Sequence, residues 1–262
     1  MATQKIAVIS KAILIMDILM PQGNEKELGV TEISKKLQMP VQSVYRLLST
    51  LSDHGFVSQD KKTKKYKLGL SVMKYGFMMH DSLYMRSIAR PYMEQLYDKT
   101  KVTIYLAKVE NDAGVYVDRI DALESLIISE PIGLTLPLIV GASNRAMLAF
   151  LPQKIREAII INGDRMVDPT LKTQRQRDLL FEIEVIRSKG YAVSYGEVTK
   201  GTIGIGAPIF SYDNSVIGSL NCTCSSNLAA TSVVENYGSY VKKYAELISK
   251  ELGYRNRHTN VQ

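Results

Sequence analysis

At 262 residues, with 45% apolar and 23% charged side chains, the chain has the make-up of an ordinary globular protein, and its length favours two domains without requiring them. No apolar run reaches the roughly 18 residues of a membrane-spanning helix; the strongest, Ala12 to Met20, contains Asp17 and stops at Pro21. Net charge is +7, and residues 1–68, with 11 Lys/Arg against 6 Asp/Glu, hold +5 of it, the distribution of an N-terminal module that meets a polyanion. The start lacks the basic, apolar and small-residue segments of a secretory leader. Cys222 and Cys224 stand two apart in a strand-like run, where a mutual disulfide would be strained. Packed, reduced thiols and a cytoplasmic location are expected.

The first 68 residues read as three helices and a hairpin. Ile6, Ile9, Ile13, Met16 and Met20 recur at three to four residues and predict a helix over 6–20 with that stripe inward. Pro21, Gly23 and Asn24 end it. A short second helix starts with Thr31 as its N-cap and turns Ile33 and Leu37 inward. Met39-Pro40 makes the break. A third helix runs from Val41 to His54, buries Val44, Leu47, Leu48 and Leu51, and is closed by Gly55 in a left-handed turn. Left outside are Gln42, Ser43, Tyr45, Arg46 and Ser49, near the end of the helix that enters a major groove. Gln42 and Arg46 have the geometry for two hydrogen bonds to a purine edge; Ser43 and Tyr45 suit phosphates. Residues 56–58 and 66–68 then form a hairpin whose tip carries Lys61, Lys62, Lys64 and Lys65. A tight helix pair, a polar helix end and a basic hairpin in this order make a winged helix-turn-helix for double-stranded DNA.

From Gly69 the chain reads as a linker helix to Leu83, and helix continues to Thr100 with Pro91 marking a kink or a new start. Strands are predicted over 102–109, 114–120 and 126–129, a loop over 133–141, helices over 143–151 and 174–189, strands over 191–195, 202–210 and 216–223, and a last helix over 232–252. Strands in runs with helices outside predict an α+β domain on an antiparallel sheet. The expected organisation is 1–68 winged helix-turn-helix, 69–83 linker and 84–256 a ligand-binding domain. Gly141-Ala142-Ser143-Asn144-Arg145 carries the most chemistry, since backbone N–H groups at a helix start bind carboxylates or phosphates. Ser143 is equally readable as a plain N-cap. Asn221 and Thr223 alternate with Leu220 and Cys222 and so share one face, of either a ligand site or a solvated strand.

These residues together resemble the IclR-type bacterial transcription regulators. The resemblance rests on 30–34, on Met39-Pro40-Val41-Gln42-Ser43-Val44-Tyr45-Arg46-Leu47-Leu48, on 51–57 and 66–69, and then on 141–149, 190–192 with Gly196-Glu197, and 201–209. It covers nearly the whole chain, and its order and spacing are more specific than any one piece. It implies a GAF-like effector domain that binds a small metabolite, often an organic acid. It also implies dimers, or dimers of dimers, on palindromic operators. Carried over by motif, the effector positions are Ala142, Ser143, Ser194, Gly204, Asn221 and Thr223. This chain departs from the family pattern in having Asn144-Arg145 where Gly-Lys is usual, Ser194 where some members have an acid, and Gly204 where a side chain is usual.

Enzyme chemistry finds little support. The three histidines, His54, His80 and His258, are scattered, and neither G-x-S-x-G nor a Walker sequence occurs. Cys222 and Cys224 lack the histidines that would complete a zinc site. Gly201, Gly204 and Gly206 have the wrong context for a dinucleotide loop, because no helix start follows. No cofactor is expected. A metabolite sensor that does not bind DNA is the alternative reading, and a salt-dependent shift on genomic DNA separates the two.

Overall fold

The computed structural model describes residues 6–20, 27–81, 84–122, 130–163, 169–228 and 230–255; of 77–81, 169–175 and 228 it describes the backbone alone. The chain divides into two compact units, Met1–Ser82 and Leu83–Gln262.

The first unit contains α1 (Ala7–Ile18), α2 (Val30–Leu37), α3 (Val41–Asp53), β1 (Val57–Gln59), β2 (Tyr66–Leu68) and α4 (Leu70–Asp81). Its core joins Ile15 and Leu19 to Ile33, Met39, Val44, Leu48, Val57 and Tyr66. The expected stripe of α1 is corrected here. Ile6, at 66% exposure, Ile9, Ile13 and Met20 point outward, and Met16 is half-buried. Helix α1 is apolar almost all round, so two stripes compete, and the one carrying Ile15 and Leu19 faces α2 and α3. A second correction concerns Thr31. Helix α2 begins at Val30 with Gly29 as its cap, and Glu32 Oε2 reaches back to accept the Gly29 N–H at 2.6 Å. Thr31 lies exposed in the first turn.

Between α2 and α3 the chain turns through Gln38 at φ 52°, and the Ser34 hydroxyl donates to the Met39 carbonyl at 2.6 Å. Gly55 ends the α3 turn at φ 72°, with its N–H on the Ser52 carbonyl and that of Phe56 on the Leu51 carbonyl. The hairpin pairs Val57 with Leu68 and Gln59 with Tyr66, and Tyr66 also exchanges both backbone hydrogen bonds with Leu28.

The second unit opens with α5 (Tyr84–Thr100), which runs unbroken through Pro91. There follow β3 (Thr103–Glu110), β4 (Ala113–Ile120), β5 (Thr135–Pro137), α6 (Gly141–Leu148), α7 (Gln153–Gly163), α8 (Pro169–Lys189), β6 (Ala192–Tyr195), β7 (Thr202–Phe210), β8 (Val216–Ser225) and α9 (Thr231–Glu251). Among the described residues, β3 to β8 form one antiparallel sheet in the order β5-β4-β3-β8-β7-β6. The strand expected over 126–129 lies outside the described residues. The expected loop over 133–141 instead contributes β5 as an edge strand, and α7 was not anticipated.

Alternation sorts the sheet into two layers. Ile104, Leu106, Ile203, Ile205, Ile209, Leu220, Cys222 and Cys224 pack on α5 and α9, and both cysteines are buried free thiols. Tyr105, Ala107, Tyr116 and Ala192 turn the other way, to α6. A bulge between Leu106 and Ala107 shifts the β3–β4 register and sets Asp118 opposite Leu106, where Arg86 and Arg90 of α5 meet its carboxylate at 3.0 and 3.2 Å. The architecture is thus the expected one: a winged helix-turn-helix followed by an α+β domain on an antiparallel sheet.

Candidate DNA-recognition surface and effector site

In the first unit, burial of Val44 and Leu48 forces the opposite side of α3 outward. Gln42, Tyr45 (59% exposed), Arg46 and Ser49 are all exposed, and Ser43 is half-buried at the margin. Beside them stands the wing. Asp60 Oδ1 accepts the N–H groups of Lys62 and Thr63, both at 2.8 Å, and Lys64 takes a left-handed φ of 57°. These two backbone donors, Thr63 first, hold the Asp60 carboxyl below the usual carboxylate range. The turn so built projects Lys61, Lys62 and Lys64 into solvent. Lys65 is half-buried and lies 3.9 Å from Glu32, next to Thr31, which ties the wing to the start of α2. Burial, and then the nearby phenol of Tyr45, raises the Tyr66 phenol on β2 above its ordinary value, so α3 and the wing are close neighbours. The structure therefore gathers the ten expected DNA-facing residues on α2, α3 and the wing.

In the second unit, sheet register assembles most of the expected effector residues. Ser194, Gly204 and Thr223 are cross-strand neighbours on β6, β7 and β8, and Thr103 extends that row onto β3. The next row holds Ala192, Gly206, Asn221 and Tyr105. Helix α6 lies directly on these strands because Gly206 has no side chain. A Cβ there would sit 2.9 Å from the backbone of Ala142 and Ser143. Gly204 leaves a recess in the floor. Around the point its Cβ would occupy stand Ser194 Oγ at 2.9 Å, Ala142 Cβ at 3.6 Å and Asn221 Oδ1 at 3.7 Å.

Ser143 is set apart from these five. It is not a cap: Val140 precedes the helix, and the Ser143 hydroxyl is shared with Ser219 at 2.7 Å inside the packing between α6 and β8. The start of α6 is also occupied. Ala142 N–H is taken by Ser194 Oγ at 3.0 Å and Gly141 N–H by Glu197 Oε2 at 3.1 Å. Asn144 and Arg145 turn away from the recess. Asn144 Nδ2 donates to the Val140 carbonyl at 2.9 Å and the Pro137 carbonyl at 3.2 Å. Arg145 grips both oxygens of Glu197, at 2.6 and 2.7 Å, and reaches Glu182 of α8 at 2.9 Å. Burial raises the Glu182 carboxyl, against the opposing pull of Arg145 and with the help of Glu197.

Sequence reasoning missed two aromatic residues of this site. Tyr105 pairs with Asn221 across β3 and β8, and its ring stacks on Tyr116 with centroids 4.7 Å apart. Its hydroxyl accepts the Glu130 N–H at 2.8 Å, while the Glu130 carboxylate holds the Thr199 hydroxyl. Burial, then the neighbouring Tyr105 and Glu130, pushes the Tyr116 phenol far up, so it stays protonated. The one available signal was the alternation Ile104-Tyr105-Leu106, which sets a polar-tipped ring on the face opposite the aliphatic core. Nothing in this arrangement presents a nucleophile beside a base.

Two family models match the chain in order. That of the IclR helix-turn-helix domain covers residues 8–61, and that of the bacterial transcriptional regulator IclR C-terminal domain covers residues 78–250. The chain belongs to the IclR family. It is 31% identical to the HTH-type transcriptional regulator KipR of Bacillus subtilis over 238 residues, 88% of this chain and 92% of KipR. It is 27% identical to the HTH-type transcriptional regulator KdgR of Escherichia coli, with 94% of each chain covered. Among solved structures, the Thermotoga maritima IclR matches with a TM-score of 0.70 at 27% identity, covering 94% of this chain and 98% of that one. This IclR-family protein is accordingly a DNA-binding transcription regulator with an effector-binding C-terminal domain, and not an enzyme. No helix among its described residues is long and apolar enough to cross a membrane.

Proposed function

We propose that this IclR-family regulator is a cytoplasmic repressor that binds a palindromic operator as a homodimer or homotetramer and responds to a small organic acid. Residues 1–68 meet the DNA, 69–83 form the linker and 84–256 hold the effector. Gln42 and Arg46 read base edges in the major groove; Thr31, Ser43, Tyr45 and Ser49 hold phosphates. Lys61, Lys62, Lys64 and Lys65 lie along the flanking backbone or minor groove. The observation that carries this reading is the exposed polar side of α3 beside a rigid turn bearing four lysines. A second copy is supported by α1, which leaves Ile6, Val8, Ile9 and Ile13 uncovered in the single chain. The effector lies over Gly204, among Ala142, Ser194, Asn221 and Thr223, with Ser143 closing the inner end through Ser219.

Selection of bound sequences from a random DNA pool tests the reading, followed by binding titrations on the selected fragment. Arg46→Ala should weaken specific binding by about 1–3 kcal/mol and relax one base position. Each wing lysine changed to Ala should weaken all sequences alike and flatten the log–log salt slope by about 0.9. Recovery of no enriched sequence, or a salt slope indifferent to the wing, would remove the DNA assignment for these residues.

A further inference from the structure

The recess above Gly204 contains one polar atom that the chain does not answer. Asn221 is 2% exposed, and its Nδ2 donates to Thr223 Oγ1 at 3.0 Å, but its Oδ1 is buried with no hydrogen-bond partner. Folded chains pair nearly all such atoms, because an unmet buried acceptor loses the full value of its hydration. This one points into the recess, 3.7 Å from the position a Cβ on residue 204 would take. Its surroundings make the missing partner more specific. The N–H groups at the start of α6, the obvious seat for an anion, are already filled by Ser194 Oγ and by Glu197. Glu197 is the chain's own carboxylate in that seat, and Arg145 holds it there through both oxygens. A bound carboxylate placed on these amides would have to expel a charge-balanced side chain.

We propose that Asn221 is the specificity-determining residue of the effector site and accepts a hydrogen bond from a hydroxyl group of the effector. The ligand is then a hydroxylated acid, and its carboxylate does not sit on the Gly141 and Ala142 amides. A hydroxyl satisfies Oδ1 without bringing a charge. An ammonium donor would need a buried counter-charge, and Glu197 is already balanced by Arg145. The inference rests on reading the recess as the effector site.

The test uses the full chain and three matched pairs of acids at equal concentration: lactate and propionate, malate and succinate, gluconate and hexanoate. Thermal melting is followed for the wild type, Asn221→Ala and Asn221→Leu, together with retention on the selected DNA fragment. The hydroxylated member of at least one pair should raise the wild-type melting temperature more than its partner, and the difference should vanish in Asn221→Ala. Without acid, Asn221→Leu, close to Asn in volume but with no unmet acceptor, should melt about 2–4 °C above the wild type. The proposal is overturned by equal responses within all three pairs, by a within-pair difference that survives in Asn221→Ala, or by a lowered melting point in Asn221→Leu. Should Asn221→Ala fail to fold, the wild-type pairs decide alone. Gly204→Val separates this failure from that of the underlying reading. An acid that stabilises Gly204→Val as well as the wild type binds away from the recess and removes the effector-site assignment itself.

Discussion

Arg145 shows how much of the effector domain hangs on one side chain. Its guanidinium is 8% exposed and links α6 to Glu182 on α8 and to Glu197 in the turn after β6. Arg145→Ala would strand two half-buried carboxylates and free the turn that closes over the start of α6. A loss of about 2–4 kcal/mol in unfolding free energy is expected from urea titration, since removing one member of a buried pair leaves the others unbalanced. Glu182 adds a pH signature. Burial raises its carboxyl, so the folded chain holds that proton more tightly than the unfolded chain does. Stability from this group is therefore present at low pH and falls as pH rises from the ordinary glutamate range through the raised value. Glu182→Gln should flatten that fall in a melting series over about pH 4 to 7. In sequence, Asn144-Arg145 is visible only as a departure from the family pattern. Its partners stand 37 and 52 residues away, and no local spacing announces them.

At the scale of elements, Gly206 is the contact on which the site is built. A methyl group there would meet backbone atoms of α6 at 2.9 Å, and backbone does not move aside as a flexible side chain can. Gly206→Ala should cost about 1–3 kcal/mol of stability. It should also abolish the response to the effector while affinity for the operator is kept; unchanged acid-induced melting shifts would contradict this placement of α6. The glycine was legible as part of a family pattern, but its reason was not, because the opposing helix is more than sixty residues earlier in the chain. Helix α3 is the opposite case. Val44, Leu47, Leu48 and Leu51 mark its inner side by period alone, and the structure covers all four. The same rule failed on α1, where Ile15 and Leu19 were chosen over Ile6, Ile9 and Ile13. A helix apolar on two sides has no internal preference, and its neighbours decide.

For the whole molecule, regulation requires that DNA and effector bias the same conformational equilibrium. If the acid lowers operator affinity by some factor, operator DNA must lower affinity for the acid by the same factor. Titration of the acid into free and DNA-bound chain checks this equality; unequal factors would show that the two ligands act on different states. What the sequence alone determined was everything local. Period, turn residues and the run of wing lysines need only a few neighbouring residues, and they sufficed for a winged helix-turn-helix and an antiparallel α+β domain. Only the tertiary structure decided which apolar side of α1 is covered, that Glu197 fills the seat expected for a ligand, and that Tyr105 lies beside Asn221. Each of these depends on residues far apart in the chain coming within a few ångströms, and such distances are set by packing rather than by any pattern along the chain.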